Sequence, residues 1–321
     1  MTLPAPVRPD HVQRHRWFFR RRRGEEEKRL PLRKQAVLQA MCVFIAFTVL
    51  FPIMWVLSLA LDPRGLPRPE GLNLIPPGAS LDSFVQVIER PTSNPIDFLG
   101  LAKNSLILAA STSFFSIAVG VSAAYAFSRL QFRGRQVLML AILAVLMLPP
   151  VVTIVPLFAQ FNQIRLDLPI IGQFNLRQSL AGVSLAVISG LLPFAIWNLK
   201  GYLDTIPKEL EEAAAVDGAT RNQAFRMVIL PLAVPALAVT AFLGFIAGWT
   251  EYYFSVSFLT GRVENYTLAI ALNTMVGQYA TTTPWGHFSA FAILFALPVS
   301  LVYLLLQKYI VSGLAIGGVK G

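Results

Sequence analysis

Residues 204–235 read DTIPKELEEAAAVDGATRNQAFRMVILPLAVP, and the rest of the chain is best read outward from them. Thr205 is placed to cap a helix, and Pro207 fits a first helical turn. Glu209, Glu211 and Glu212 then lie near the positive end of that helix's dipole. Gly218 is a helix stop. Thr220-Arg221-Asn222-Gln223 forms a capping box for a second helix. Ala224, Phe225, Val228, Ile229 and Leu232 repeat with a helical period. The expectation is a protruding helix–turn–helix with an apolar stripe and acidic residues, a knob shaped for a groove in a partner.

The chain around this loop is built for a membrane. Of its 321 residues, 55% are hydrophobic and 14% charged, with a mean hydropathy of +0.59. Soluble domains carry about 25% charged residues, and disorder needs low hydrophobicity. Six apolar segments are long enough to span, near 36–61, 104–127, 136–160, 179–199, 232–259 and 288–311. The expected fold is an all-α integral membrane protein with 204–231 protruding between spans 4 and 5. A basic tail, 1–35, precedes the six-span domain at 36–313, and a short tail, 314–321, follows it.

Charge orients the spans. Residues 1–34 hold eleven Lys/Arg against four acidic residues, a net of +7. Such a tail suggests nucleic acid, but the apolar run that follows makes it an orientation signal instead. With both termini in the cytoplasm, 20 of the 27 basic residues fall on the cytoplasmic side. The lipid bilayer, and no nucleic acid, is the expected partner of this charge. His11 and His15 have helical spacing within the tail but lack acidic companions, and the single Cys42 excludes an intrachain disulfide and a cysteine metal cluster, so no metal site is expected.

The spans carry unusual residues. Pro52, Pro149-Pro150, Pro156, Pro193 and Pro298 fall inside apolar runs, where proline kinks a helix. The second span holds Ser105, Ser111, Thr112, Ser113, Ser116, Ser122 and Gly120, which suits either a polar path or close helix packing. Glu251, in Gly248-Trp249-Thr250-Glu251-Tyr252-Tyr253, is the one acid clearly inside a span. Such a carboxylate costs on the order of 3 kcal/mol and is either a gate or a structural hydrogen-bonding group. The long outer loop 62–103 is proline-rich, with a short helix expected near 82–89. The loop at about 260–287 carries Asn265, Tyr266, Asn273, Gln278, Tyr279 and Trp285.

Glu212-Ala213-Ala214, three residues, Gly218, nine residues, then Val228-Ile229-Leu230-Pro231 resembles the EAA motif of the membrane subunits of bacterial ABC importers. Val228 departs from the usual isoleucine but remains β-branched. Phe51-Pro52-Ile53-Met54-Trp55, Lys103-Asn104-Ser105 and Ala124-Tyr125-Ala126-Phe127-Ser128-Arg129 resemble carbohydrate permeases. Glu211 to Thr220, Ala224-Phe225-Arg226 and the ending Gly317-Gly318-Val319-Lys320-Gly321 resemble the MalG-type subunit of maltose/maltodextrin importers.

The resemblance implies the type I importer permease fold and a subunit paired with a second, MalF-type permease. Two ATPase subunits would carry ATP and Mg, and an extracytoplasmic sugar-binding protein would deliver maltose or a related glucoside such as trehalose. This chain would bind no cofactor and catalyse nothing. Its ATPase-coupling residues would be Glu212, Ala213, Ala214, Gly218, Phe225, Leu230 and Pro231. Gly317, Gly318, Val319, Lys320 and Gly321 would reach the ATPases as a tail, and the loop at 261–278 would reach the binding protein. The location implied is the bacterial inner membrane.

Rival functions find less support. The run from Gly313 to Lys320 is a near miss to a phosphate-binding loop, with its lysine one place late and no following Ser/Thr. A membrane enzyme would need paired carboxylates or a metal motif at the surface. A stand-alone secondary transporter would carry several ionisable groups inside its spans. An importer permease for a different small solute is the nearest alternative. Residues that touch substrate are not legible.

Overall fold

The computed structural model describes residues 31–64, 74–168, 172–276 and 283–317. Much of the basic tail, the tip of the proline-rich loop, Gln278, Tyr279 and residues 318–321 lie outside the described residues. The chain divides into two units, 1–52 and 53–321. In the first, residues 32–52 form the opening part of helix α1 (Leu32–Ala60).

The second unit continues α1 and adds α2 (Asp82–Glu89), α3 (Phe98–Arg129), α4 (Arg135–Val145) and α5 (Pro150–Gln163). A small antiparallel hairpin follows, β1 (Arg165–Leu168) with β2 (Gly172–Asn175), paired from Arg165–Asn175 to Leu168–Gly172. Next come α6 (Leu180–Leu203), α7 (Glu209–Val216), α8 (Arg221–Ala224), a π-helical turn (Phe225–Ile229), α9 (Leu230–Leu232) and α10 (Val234–Trp249). The chain ends through α11 (Tyr253–Phe258), a 3₁₀ turn (Val263–Asn265), α12 (Leu268–Thr274) and α13 (Trp285–Gly317). α2 falls where it was expected; the hairpin was not foreseen.

Among the described residues, α1, α3, α6 and residues 285–310 of α13 are long and apolar enough to cross a membrane. Two bent pairs pass the same test together, α4 with α5, bent by 98°, and Arg221–Leu232 with α10, bent by 75°; counted as one span each, they bring the number to six. The segment 136–160 is thus two helices rather than one. Pro149 is extended and Pro150 opens α5, because a proline restricts the residue before it and starts helices well. The segment 232–259 is also broken. α10 has 16 residues, about 24 Å at 1.5 Å each, short of the roughly 30 Å of a bilayer interior. α11 follows after Thr250 to Tyr252.

α3 is the centre of the second unit, packed on α6 and α10. The approach is close because the facing residues are small. A Cβ at Gly248 would stand 2.7 Å from the Ala109 Cα, and one at Gly244 2.8 Å from the Ser113 Cα. Ser113 donates to the Ala241 carbonyl at 2.8 Å, and the Ser111 and Ser184 hydroxyls meet at 2.7 Å. Ser105, Thr112 and Ser116 are fully buried. The hydroxyl-rich second span therefore serves close packing.

Among the described residues, three apolar clusters run along the bundle. One joins Val87, Leu101, Trp249, Leu268 and Phe291; a second joins Leu108, Val183, Phe254, Phe258 and Ile270. The third joins Val121, Ala124, Leu199, Leu203, Ile229 and Ala233 beneath the 204–235 loop. Asp97 and Ser179 cap α3 and α6 by accepting from the Gly100 and Gly182 amides at 2.9 and 3.1 Å.

Candidate functional site: the 204–235 loop

The loop is a helix–turn–helix. α7 ends where the Gly218 and Ala219 amides reach back to the Ala215 and Ala214 carbonyls. Gly218 sits at φ +85, the left-handed region that glycine adopts without cost to a Cβ. The capping box is present: Thr220 Oγ1 accepts from the Gln223 amide at 3.3 Å, and Gln223 Oε1 accepts from the Thr220 amide at 2.7 Å. The expected Thr205 cap is not formed. Thr205 donates to the Tyr202 carbonyl at 2.7 Å, and α7 begins at Glu209 without a side-chain cap.

The apolar stripe faces the bundle. Ala224 and Ile229 are buried, Phe225 and Val228 half-buried, and the Phe225 ring lies 4.6 Å from that of Tyr125. Leu232 remains exposed. What the loop offers outward comes mainly from α7 and the turn: Glu212, Ala213, Val216 (88% exposed) and Gly218, with Met227 beyond them. Ala214 is half-buried, as is Leu230, which packs against the third cluster, while Pro231 is exposed. Phe225 and Leu230, expected among the coupling residues, thus brace the knob from within, and Glu212, Ala213 and Gly218 form its open face.

A residue overlooked in the motif holds the loop down. Glu211 pairs with Arg129 and accepts from the Tyr125 hydroxyl at 2.9 Å. Arg129 also donates to the Ile206 carbonyl at 2.8 Å, and Ser128 donates to Asp204 at 2.6 Å. The Arg129 and Glu211 side chains are 7% and 16% exposed, so the pair is largely removed from water. Burial raises the Asp204 pKa, but the Lys200 ammonium at 2.6 Å and the Ser128 hydroxyl outweigh it and hold the carboxyl below the usual range. Tyr125, Ser128 and Arg129 stand at i, i+3 and i+4, one face of the last turn of α3. That spacing was the available signal.

At the other end of the bundle, Glu251 lies in the break between α10 and α11. Its carboxylate accepts from the Phe254 amide at 2.6 Å, in the first turn of α11. The hydrogen bond is to its own chain three residues on, not to a neighbouring helix. Asn162, Asn175, Arg177, Gln178 and Arg262 line a polar cavity of about 320 Å³. α13 extends through Gly317, so the glycine-rich ending begins as helix; Gly318, Val319, Lys320 and Gly321 lie outside the described residues.

The profile of the family described as "Binding-protein-dependent transport system inner membrane component" matches residues 116–316. The chain belongs to that family. The permease is 38% identical over 289 residues to the maltose/maltodextrin transport system permease protein MalG of Photorhabdus laumondii, covering 88% of this chain and 94% of the relative. It is 37% identical to MalG of Escherichia coli K12, covering 87% and 93%. A chain of the bacterial ABC transporter that imports the acidic polysaccharide alginate superposes with a TM-score of 0.69 at 22% identity, covering 86% of the permease and 96% of that chain. This last likeness bears on the fold, which is that of an ABC importer permease.

Proposed function

We propose that the permease is one half of the translocation path of an ATP-driven sugar importer, carrying maltose, maltodextrin or a related glucoside such as trehalose. It pairs with a MalF-type permease in the bacterial inner membrane, with both termini cytoplasmic. An extracytoplasmic binding protein delivers the sugar. Two ATPase subunits, which hold ATP and Mg, dock on the 204–231 loop. The observation that carries the reading is the open face of α7: a carboxylate, Glu212, beside small Ala213 and a left-handed Gly218 turn. Small residues let a partner's groove close around the helix, and the glutamate supplies a charge for a basic group there. The identity to MalG relatives supports the choice of sugar.

The experiment is reconstitution in proteoliposomes. Alone, this chain is expected to show neither ATP hydrolysis nor maltose uptake; with a second permease, ATPase and binding protein it shows both. Glu212→Ala is expected to weaken ATPase docking by up to about a thousandfold, as loss of one partner of a desolvated charge pair does. Hydrolysis or concentrative uptake by the chain alone would refute the proposal, as would wild-type docking and transport in the Glu212 variant. Deleting residues 317–321 tests the tail: a contact role predicts normal assembly with reduced binding-protein-stimulated hydrolysis.

A further inference from the structure

Both ends of α3 are fastened to loops. At one end, Tyr125, Ser128 and Arg129 grip Asp204, Ile206 and Glu211. At the other, Asn104 donates to the Glu264 and Tyr266 carbonyls at 2.8 and 2.9 Å, and the Ser105 hydroxyl accepts from the Leu268 amide at 2.8 Å. Asn104 and Ser105 are buried. Of the four described helices long enough to cross a membrane singly, α3 alone contains no proline; Pro52, Pro193 and Pro298 interrupt α1, α6 and α13. An uninterrupted helix keeps its full hydrogen-bond ladder and resists bending. Along its middle, Gly244 and Gly248 bring α10 directly against its backbone, where a Cβ would stand 2.8 and 2.7 Å from the Ser113 and Ala109 Cα atoms.

We propose that α3 is the transmission element of the permease. Arg129 and Glu211 are positioning residues that fasten the 204–231 loop to it, and Asn104 and Ser105 fasten the 264–268 segment at its far end. Displacement of the loop is delivered to α3 as a rigid body and arrives at 264–268 without passing through a flexible joint. Adjacent glutamates of α7 then divide the labour: Glu212 faces outward, and Glu211 faces α3. The Arg129 guanidinium suits this place because its planar fork meets the Glu211 carboxylate and the Ile206 carbonyl together, which a lysine does not reproduce. This inference rests on the reading of the loop as the ATPase-docking element.

The test uses the full importer in proteoliposomes, with maltose and its binding protein. Variants are Glu211→Gln, Arg129→Lys, Tyr125→Phe, Asn104→Ala and the double variant Glu211→Gln/Asn104→Ala. Glu211→Gln and Arg129→Lys are expected to retain copurifying ATPase and basal hydrolysis within about twofold, while ATP consumed per maltose rises about fivefold or more. Asn104→Ala should raise the same ratio. The double variant should raise it little beyond the larger single effect, because a transmission line broken at one end gains little from a second break. If Glu211→Gln does not accumulate in the membrane, Tyr125→Phe decides, since it removes one hydroxyl and keeps the ring on Phe225; a rise of about twofold is expected. An unchanged ratio in variants that transport, or multiplicative effects in the double variant, would overturn the proposal. Loss of ATPase with Glu211→Gln would also overturn it by making Glu211 a docking residue. Failure of the wild-type complex to couple hydrolysis to uptake would instead count against the proposed function.

Discussion

α3 and the α4–α5 pair are both apolar and both belong to the spans expected from sequence, yet they pack differently. α3 buries twelve of its 32 residues, among them Ser105, Thr112, Ser116 and Gly120. α4 and α5 bury none of theirs, and Val137, Leu140, Met147, Val151 and Val155 on and between them stand exposed. The difference is residue size, not hydrophobicity. Lipid tails are as apolar as leucine, so a leucine-rich surface gains little by turning inward, whereas small and hydroxylated residues gain contact and hydrogen bonds. The α4–α5 surface is accordingly one that an apolar surrounding can cover without loss.

The contrast can be broken most severely at the loop end of α3. Arg129→Ala leaves Glu211 without its partner in a largely dry site, which costs about 3–5 kcal/mol. The expected result is a lower unfolding temperature of the detergent-purified permease. Gly248→Val forces side-chain atoms toward Ala109 and the Leu108 carbonyl and should cost about 3 kcal/mol, near the upper end for overpacking; an unchanged unfolding temperature would show that α10 can back away. Val155→Ala, on the exposed face of α5, should change the isolated chain by under about 0.5 kcal/mol. A larger effect that appears only in the two-permease complex would assign that face to the partner.

The smallest effect concerns pH. The folded Asp204 pKa is lowered, so its stabilising contribution is fully present above the unfolded value of about 3.9 and is lost as pH falls through the folded value. Amide hydrogen exchange of residues 204–211, corrected for the intrinsic rate, should therefore be level between about pH 6 and 8. Protection that falls within that range would mean that Asp204 does not titrate as its partners dictate.

The contrast also separates what was legible. The four unbroken apolar helices, α2, the Gly218 turn and the Thr220–Gln223 capping box could be read because each is local: an apolar run, an amphipathic turn, a left-handed glycine, a three-residue spacing. The break at Pro149-Pro150 was signalled by the prolines, but its 98° bend depends on what packs on either side. The inward direction of the Phe225–Ile229 stripe was not readable, since periodicity marks a face without saying which neighbour it meets. Glu211 was hidden for a related reason. Three glutamates in one turn look alike, and only the position of Arg129, 82 residues earlier, tells them apart. Glu251 reads from the sequence as lying inside a span, whereas it sits in the break between α10 and α11 and accepts from the Phe254 amide.

The most direct test of the account is a cross-link from the open face of α7. Val216 projects there at 88% exposure, and Cys42 is the only native cysteine. With Cys42→Ser and Val216→Cys, a short reagent that is thiol-reactive at one end and photoreactive at the other should join this chain to the ATPase in the assembled importer, in a yield that changes when ATP is bound. The same change at Ile229, which is fully buried against the bundle, should give no cross-link. Cross-linking at Ile229 and none at Val216 would contradict the account, because the loop would then dock through the stripe that this structure turns inward.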